Sequence, residues 1–167
     1  LEFRLEARPA ASGADKEQFE FRDQRMGERG AWIESDLIIG GDRVTGASSS
    51  FDENGRPQVN ISLDSQGGTL MNRATRDNIK RRMAVLFLER KTRTTGYEEG
   101  PDGLDIPVLE RYDEKKIISL ATIQSALGTQ FRITGLDSPA ESEELALLLR
   151  AGALAAPLDF VEERTVG

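Results

Sequence analysis

The chain has 167 residues, 38% hydrophobic and 31% charged, with a net charge of −7 and neither Cys nor His. That length suits one domain, or one plus an appendage, able to bury roughly two-thirds of its unfolded surface. The charge argues against nucleic acid and anionic membrane surfaces, the missing His and Cys exclude Ser–His and Cys–His hydrolysis, and no apolar run approaches the ~20 residues that span a bilayer.

Leu1–Leu5 alternates apolar and polar residues, a short strand signal. Opening on Leu1, without an initiator Met, the chain reads as a piece of something longer. Residues 7–30 carry little periodicity and read as a mobile loop or extra hairpin anchored only by Phe19 and Phe21. Trp32–Ile39 is a second strand, closed by Gly40-Gly41-Asp42. Ser48–Phe51 and Arg56–Leu63 flank Asp52-Glu53-Asn54-Gly55, and Asn-Gly between alternating arms predicts a hairpin. In its second arm Val59, Ile61 and Leu63 face one way, while Gln58, Asn60 and Ser62 face the other. One face is core and the other wet.

Asp64 or Ser65 caps a helix to about Thr75, with Leu70, Met71 and Ala74 inward. Gly67-Gly68 lacks the Lys-Ser/Thr of a phosphate loop and reads better as close helix packing. Arg73, Arg76, Lys80, Arg81 and Arg82 form a basic cluster, a solvated edge before it is an anion site. Met83–Leu88 is continuously apolar, which marks a central strand buried on both faces. Residues 91–114, with their glycines, prolines and seven carboxylates, read as an exposed excursion between strands. Glu98, Glu99, Asp102 and Asp105 lack EF-hand spacing, so no metal is assigned. Nothing marks a sugar cleft for a glycosidase-style carboxylate pair.

Ile117–Ile123 is the next strand, Gly128 allows a turn, and Gln130–Thr134 points Phe131 and Ile133 inward. Ser138-Pro139-Ala140-Glu141 is a capping box. Leu145, Leu148 and Leu149 make the helix's apolar stripe, Arg150 occupies its last turn, and Gly152 closes it. Pro157 bars further helix, and Leu158, Phe160 and Val161 read as a strand.

Two strand–helix–strand units follow, 57–63/65–75/82–90 and 130–134/139–151/158–164, joined by strand 117–123. Right-handed crossovers would set both helices on one face of one sheet. The expected fold is an α+β two-layer sandwich, a mainly antiparallel mixed sheet of ferredoxin-like type with extra strands. The helices would cover Val59, Ile61, Leu63, Val85, Phe87, Phe131 and Ile133. The opposite face would present Gln58, Asn60, Ser62 and Arg132 to an extended polypeptide adding as a strand.

Five blocks resemble the SecD family of bacterial export subunits. They are Gly40–Gly46, Pro57–Gly68, Asn78–Ala84, Ile118–Gly135, and Leu147–Leu154 with Pro157 and Glu162–Gly167. Gly40 stands where Thr is often found, Leu120-Ala121 replaces a common Ala-Pro, and Lys80 replaces a Gly. A turn requiring positive φ at Lys80 is therefore absent or strained. The resemblance spans roughly residues 36–167 and implies the head of the first periplasmic domain, with 1–35 a strand stump plus variable loop or hairpin. It also implies that the last strand can join the neighbouring base.

By the same resemblance the module is non-enzymatic and needs no cofactor. It would bind emerging unfolded preprotein at the periplasmic side of the inner membrane, beside SecF and the SecY channel, driven by a proton gradient handled in membrane helices elsewhere. A docking surface for other translocation subunits, without preprotein contact, is the alternative. A carboxylate-based hydrolase is the remaining one.

Overall fold

Residues 83–86 carry apolar side chains on both faces, and the architecture forms around them. A computed structural model of the chain describes residues 1–22 and 30–154. The strands are β1 (Glu2–Leu5), β2 (Lys16–Glu20), β3 (Gly30–Glu34), β4 (Ile39–Gly40), β5 (Val44–Phe51), β6 (Pro57–Leu63), β7 (Arg82–Glu99), β8 (Asp105–Thr122) and β9 (Gln130–Ile133). The helices are α1 (Ser65–Arg76) and α2 (Pro139–Leu154). The expected strand at 158–164 lies outside the described residues.

Helices and antiparallel strands make this an α+β fold, but the strands divide among three sheets. Their orders are β4-β1-β7-β8, β2-β3 and β5-β6-β9. The single sheet expected from sequence is corrected for a simple reason. Both edges of β6 are occupied, by β5 and β9, so β7 cannot pair beside it and joins β1 and β8 instead. The α1 crossover thus links two sheets, which is not a ferredoxin-like arrangement. β1 pairs with β4 on one side and β7 on the other.

The main core gathers Phe3, Met83 and Val85 from the first sheet and Val59, Ile61, Phe131 and Ile133 from the third. Met71 of α1 and Leu145 and Leu149 of α2 complete it. Phe87, expected there, belongs to neither buried cluster. The other face of β7, Ala84 and Leu86, packs with Ile117 under Phe21, Ala31 and Ile33. The β2–β3 hairpin therefore supplies the second layer that double burial of β7 requires, while the face bearing Gln58, Asn60, Ser62 and Arg132 belongs to the separate β5-β6-β9 sheet. Arg4 is only 4% exposed and ties this layer down through Glu2, Glu17 and the Glu34 carbonyl.

The helices start where their caps dictate. Asp64 accepts the Gly67 N–H at 2.6 Å, and Ser138 Oγ accepts that of Glu141 at 3.2 Å. In α1 the inward stripe is Gly67, Gly68, Met71 and Thr75, leaving Leu70 38% exposed, one step around the helix from its expected place. Gly152 does not end α2; the helix runs on to Leu154. Its lack of a side chain lets Leu1 and Gly41 approach closely. Arg150 reaches sideways to the Ala47 carbonyl at 2.8 Å.

The excursion expected at 91–114 is ordered as a two-stranded ribbon continuing β7 and β8. Opposite charges face each other across it, Lys91 with Glu114 at 2.7 Å and Arg93 with Glu110 at 2.8 Å. Such cross-strand pairs stabilise a ladder even without a core.

Two substitutions probe backbone fit. Lys80 has φ +78°, a left-handed conformation that suits glycine. Lys80→Gly is expected to raise stability by about 0.5–1 kcal/mol, read as a higher urea midpoint at constant m. A Cβ on Gly68 would sit 2.3 Å from Thr129 Cγ2 and 3.0 Å from Thr129 N. Gly68→Ala should therefore lose about 1–3 kcal/mol, although alanine is the better helix former.

Candidate functional site

β6 lies between β5 and β9 with Asn60 opposite both Ser48 and Arg132, and Ser62 opposite Gly46 and Gln130. Strand alternation sends Val59, Ile61 and Leu63 into the core and puts Gln58, Asn60 and Ser62 on the reverse face. The register thus brings the four predicted contact residues onto one face. That face is less open than expected. Arg132 is exposed and Asn60 and Ser62 are half-buried, but Gln58 is only 5% exposed.

An amide–hydroxyl cluster explains the difference. Gln58 Nε2 donates to Ser50 Oγ at 3.0 Å and to Asn60 Oδ1 at 3.1 Å, while Asn60 Nδ2 donates to Ser50 Oγ at 2.7 Å. Gln58 Oε1 remains buried with no partner. Gln58 is thus a framework residue that holds its neighbours in place.

The edge of this sheet is the more telling feature. The Leu63 N–H donates to the Thr129 carbonyl at 2.7 Å. Hydrogen-bonded pairs recur every second residue in an antiparallel ladder, so Phe131 and Ile133 direct their backbone groups at β6. The N–H and C=O groups of Gln130 and Arg132 consequently point outward. β9 is an edge strand, and among the described residues no strand pairs with that side.

A cavity of about 290 Å³ runs beside this edge. Residues 130–134 form one wall; Met83 and residues 121–127 form the other. The second wall is pinned by backbone bonds from Ile123 to Arg81 at 2.8 Å and from Lys80 to Ile123 at 2.7 Å. The Leu127 N–H donates to the fully buried Thr75 Oγ1 at 2.8 Å. In a chain of net charge −7, none of the lining residues is a carboxylate, and Arg132 is their one ion. Sequence reasoning missed Thr122, Gln124 and Ser125 here. The available signal was a small polar run lying between two strands.

The basic cluster does not stay together. Arg81 pairs with Glu34 and Arg82 with Glu6, while Arg73 and Arg76 line a separate open hollow with Asn72 and Thr69. Glu98, Glu99, Asp102 and Asp105 sit at the far end of the ribbon. Among the described residues there is no group of three or more acidic side chains placed to hold a metal ion.

Among the described residues, an antiparallel α+β module with an unpaired, groove-flanked strand edge and no assembled catalytic constellation is the class defined by these features. Residues 16–156 match the SecDF P1 head subdomain, and the chain belongs to that family. It is 60% identical over 169 residues to protein translocase subunit SecD of Pseudomonas aeruginosa, and 45% identical over 172 residues to that of Escherichia coli K12. Both matches cover all of this chain and 27% of the relative, so the chain spans about a quarter of their length. A solved structure of the membrane component SecDF, described as enhancing protein export, superposes with TM-score 0.52 at 24% identity. That match covers 99% of this chain and 68% of the other and carries the fold alone. SecDF in its super-membrane-facing form gives the same TM-score over 93% of this chain and 19% of that one. No described helix is long and apolar enough to cross a membrane.

The amide cluster makes a measurable prediction. Asn60→Ala strips Gln58 Nε2 of one acceptor and Ser50 of one donor inside a half-buried site. A loss of about 1–2 kcal/mol in chemical unfolding is expected, larger than an exposed Asn would give.

Proposed function

We propose that this chain is the periplasmic head of a SecD subunit, and that it assists export by holding the emerging, unfolded preprotein. The outward edge of β9, beside a groove free of carboxylates, is the observation that carries this reading. An extended chain could pair its backbone with Gln130 and Arg132 and rest its side chains against Phe131, Thr122 and Gln124. Main-chain pairing is blind to sequence, as a handler of many substrates requires. The groove has no carboxylate to bind cationic segments tightly, Arg132 supplies its one charged contact, and Asn60 lies opposite Arg132 on β6.

Work in such a scheme comes from elsewhere. Within a SecD subunit on the periplasmic side of the inner membrane, beside SecF and SecY, a proton gradient would drive the membrane part and move the head. The head would contribute affinity and release.

The test exploits the register. The Gln130 N–H points away from β6, so Gln130→Pro deletes an outward donor and spares the β6 ladder, as proline is tolerated on edge strands. Binding of a reduced, unfolded secretory preprotein to the chain, followed by fluorescence anisotropy, should weaken about tenfold, the equivalent of one or two lost hydrogen bonds. Unchanged affinity in a variant with an unaltered melting temperature would rule out strand addition at this edge.

A further inference from the structure

Beyond Glu89 the β7–β8 ribbon leaves the body, and its charges change character along its length. The shaft neutralises itself. Arg90 faces Asp113, Lys91 pairs with Glu114, and Arg93 both pairs with Glu110 and lies 4.7 Å over the Tyr112 ring. Past a bulge between Thr94 and Gly96 the pattern stops. Residues 94–109 hold four carboxylates, Glu98, Glu99, Asp102 and Asp105, and no Lys or Arg.

The same tip exposes apolar side chains on both faces. Register sets Tyr97 beside Pro107 and Leu109 on one face, with Ile106 and Val108 on the other. Tyr97 is 68% exposed and Leu109 59%. The tip is built to one shape. The Gly100 N–H donates to the Leu104 carbonyl at 2.8 Å, Gly103 takes φ +80°, and a Cβ on Gly100 would meet Ile106 Cδ1 at 2.6 Å. A shaped, convex, two-faced apolar wedge is costly to leave in water and marks an interaction site.

We infer that this tip is a docking arm for a folded protein partner that offers an apolar cleft rimmed by Lys or Arg. Charge and shape together select that occupant. An anionic lipid surface would repel four uncompensated carboxylates. A second copy brings a net charge of −7 of its own. An unfolded chain needs a groove or a strand edge to settle on, whereas a wedge needs a concavity already formed in its partner. The arm stands apart from the β9 groove, so it can engage whether or not that groove is occupied.

Site-specific photocrosslinking in full-length SecD, within membranes containing its export machinery, tests this. The replacements Tyr97→p-benzoyl-phenylalanine and Leu109→p-benzoyl-phenylalanine report the tip, and Thr92→p-benzoyl-phenylalanine reports the shaft. The expected result is a tip-specific adduct, mapped by mass spectrometry to a partner segment with apolar residues flanked by Lys or Arg. Reversal with Glu98→Lys, Glu99→Lys and Asp102→Lys should cut its yield at least tenfold. Leu109→Ser, which keeps every charge, should cut the Tyr97-position yield as well. Tip yields no higher than the shaft's, or adducts to lipid, to a second copy or to unfolded preprotein, would overturn the proposal. So would an adduct that survives charge reversal in protein whose melting temperature is unchanged.

Discussion

Everything in this fold defers to the double burial of β7. Met83 and Val85 point into one core, while Ala84 and Leu86, one residue out of phase, point into another. A strand buried on both faces needs a layer on each side and a partner on each edge. β1 and β8 take the edges, the helices with the third sheet take one face, and the β2–β3 hairpin takes the other. Arg4 illustrates how tightly that hairpin is attached. A guanidinium 4% exposed must find acceptors, and it finds Glu2 on its own strand and Glu17 and Glu34 on the hairpin.

Where double burial ends, the means of stabilisation changes. Past Leu88 no apolar layer is present, and the ladder continues on cross-strand ion pairs and a cation–π contact. These are individually weak and salt-sensitive, so the ribbon holds as a continuous hairpin rather than through any single pair. Glu114 sits below the ordinary glutamate range because Lys91 donates a hydrogen bond to its carboxylate. A lowered folded value means that this contribution is present above the ordinary glutamate pKa and fades as pH falls through the depressed one.

Local chemistry was legible in the sequence and long-range pairing was not. Asn54-Gly55 marked its hairpin, Asp64 its cap, and Phe131 with Ile133 the inward face of β9, because each signal spans only a few residues. Lys80 in place of a family glycine left a positive-φ turn either absent or strained, and φ +78° shows that the turn is kept. The division into three sheets depends on which edges β6 has free, a fact written in the pairing of residues 44–51 and 130–133 and invisible within 57–63. The ribbon was missed because Gly, Pro and carboxylates outweighed the alternation beneath them. Its register was nevertheless encoded, with Arg90 facing Asp113 and Arg93 facing Glu110. Asn60, Ser62 and Arg132 were placed correctly on one face by alternation alone, whereas burial of Gln58 follows from its contacts with Ser50 and Asn60.

Separating the groove from the ribbon tip has a mechanical consequence. The ribbon's eleven residues from Glu89 to Glu99 reach about 35 Å from the body at roughly 3.3 Å per residue. On the proposed function, a head that grips and releases a passing chain would gain nothing from stiff contacts near its groove, since they would resist the movement that delivers the chain. A contact at the end of a slender arm constrains position while leaving the body free to tilt. The charge pattern agrees with that division of labour. Neutralised charges keep the shaft from sticking along its length, while under the two proposals the unneutralised apolar tip would concentrate affinity at one point and the carboxylate-free groove would leave affinity for a traversing chain to the backbone.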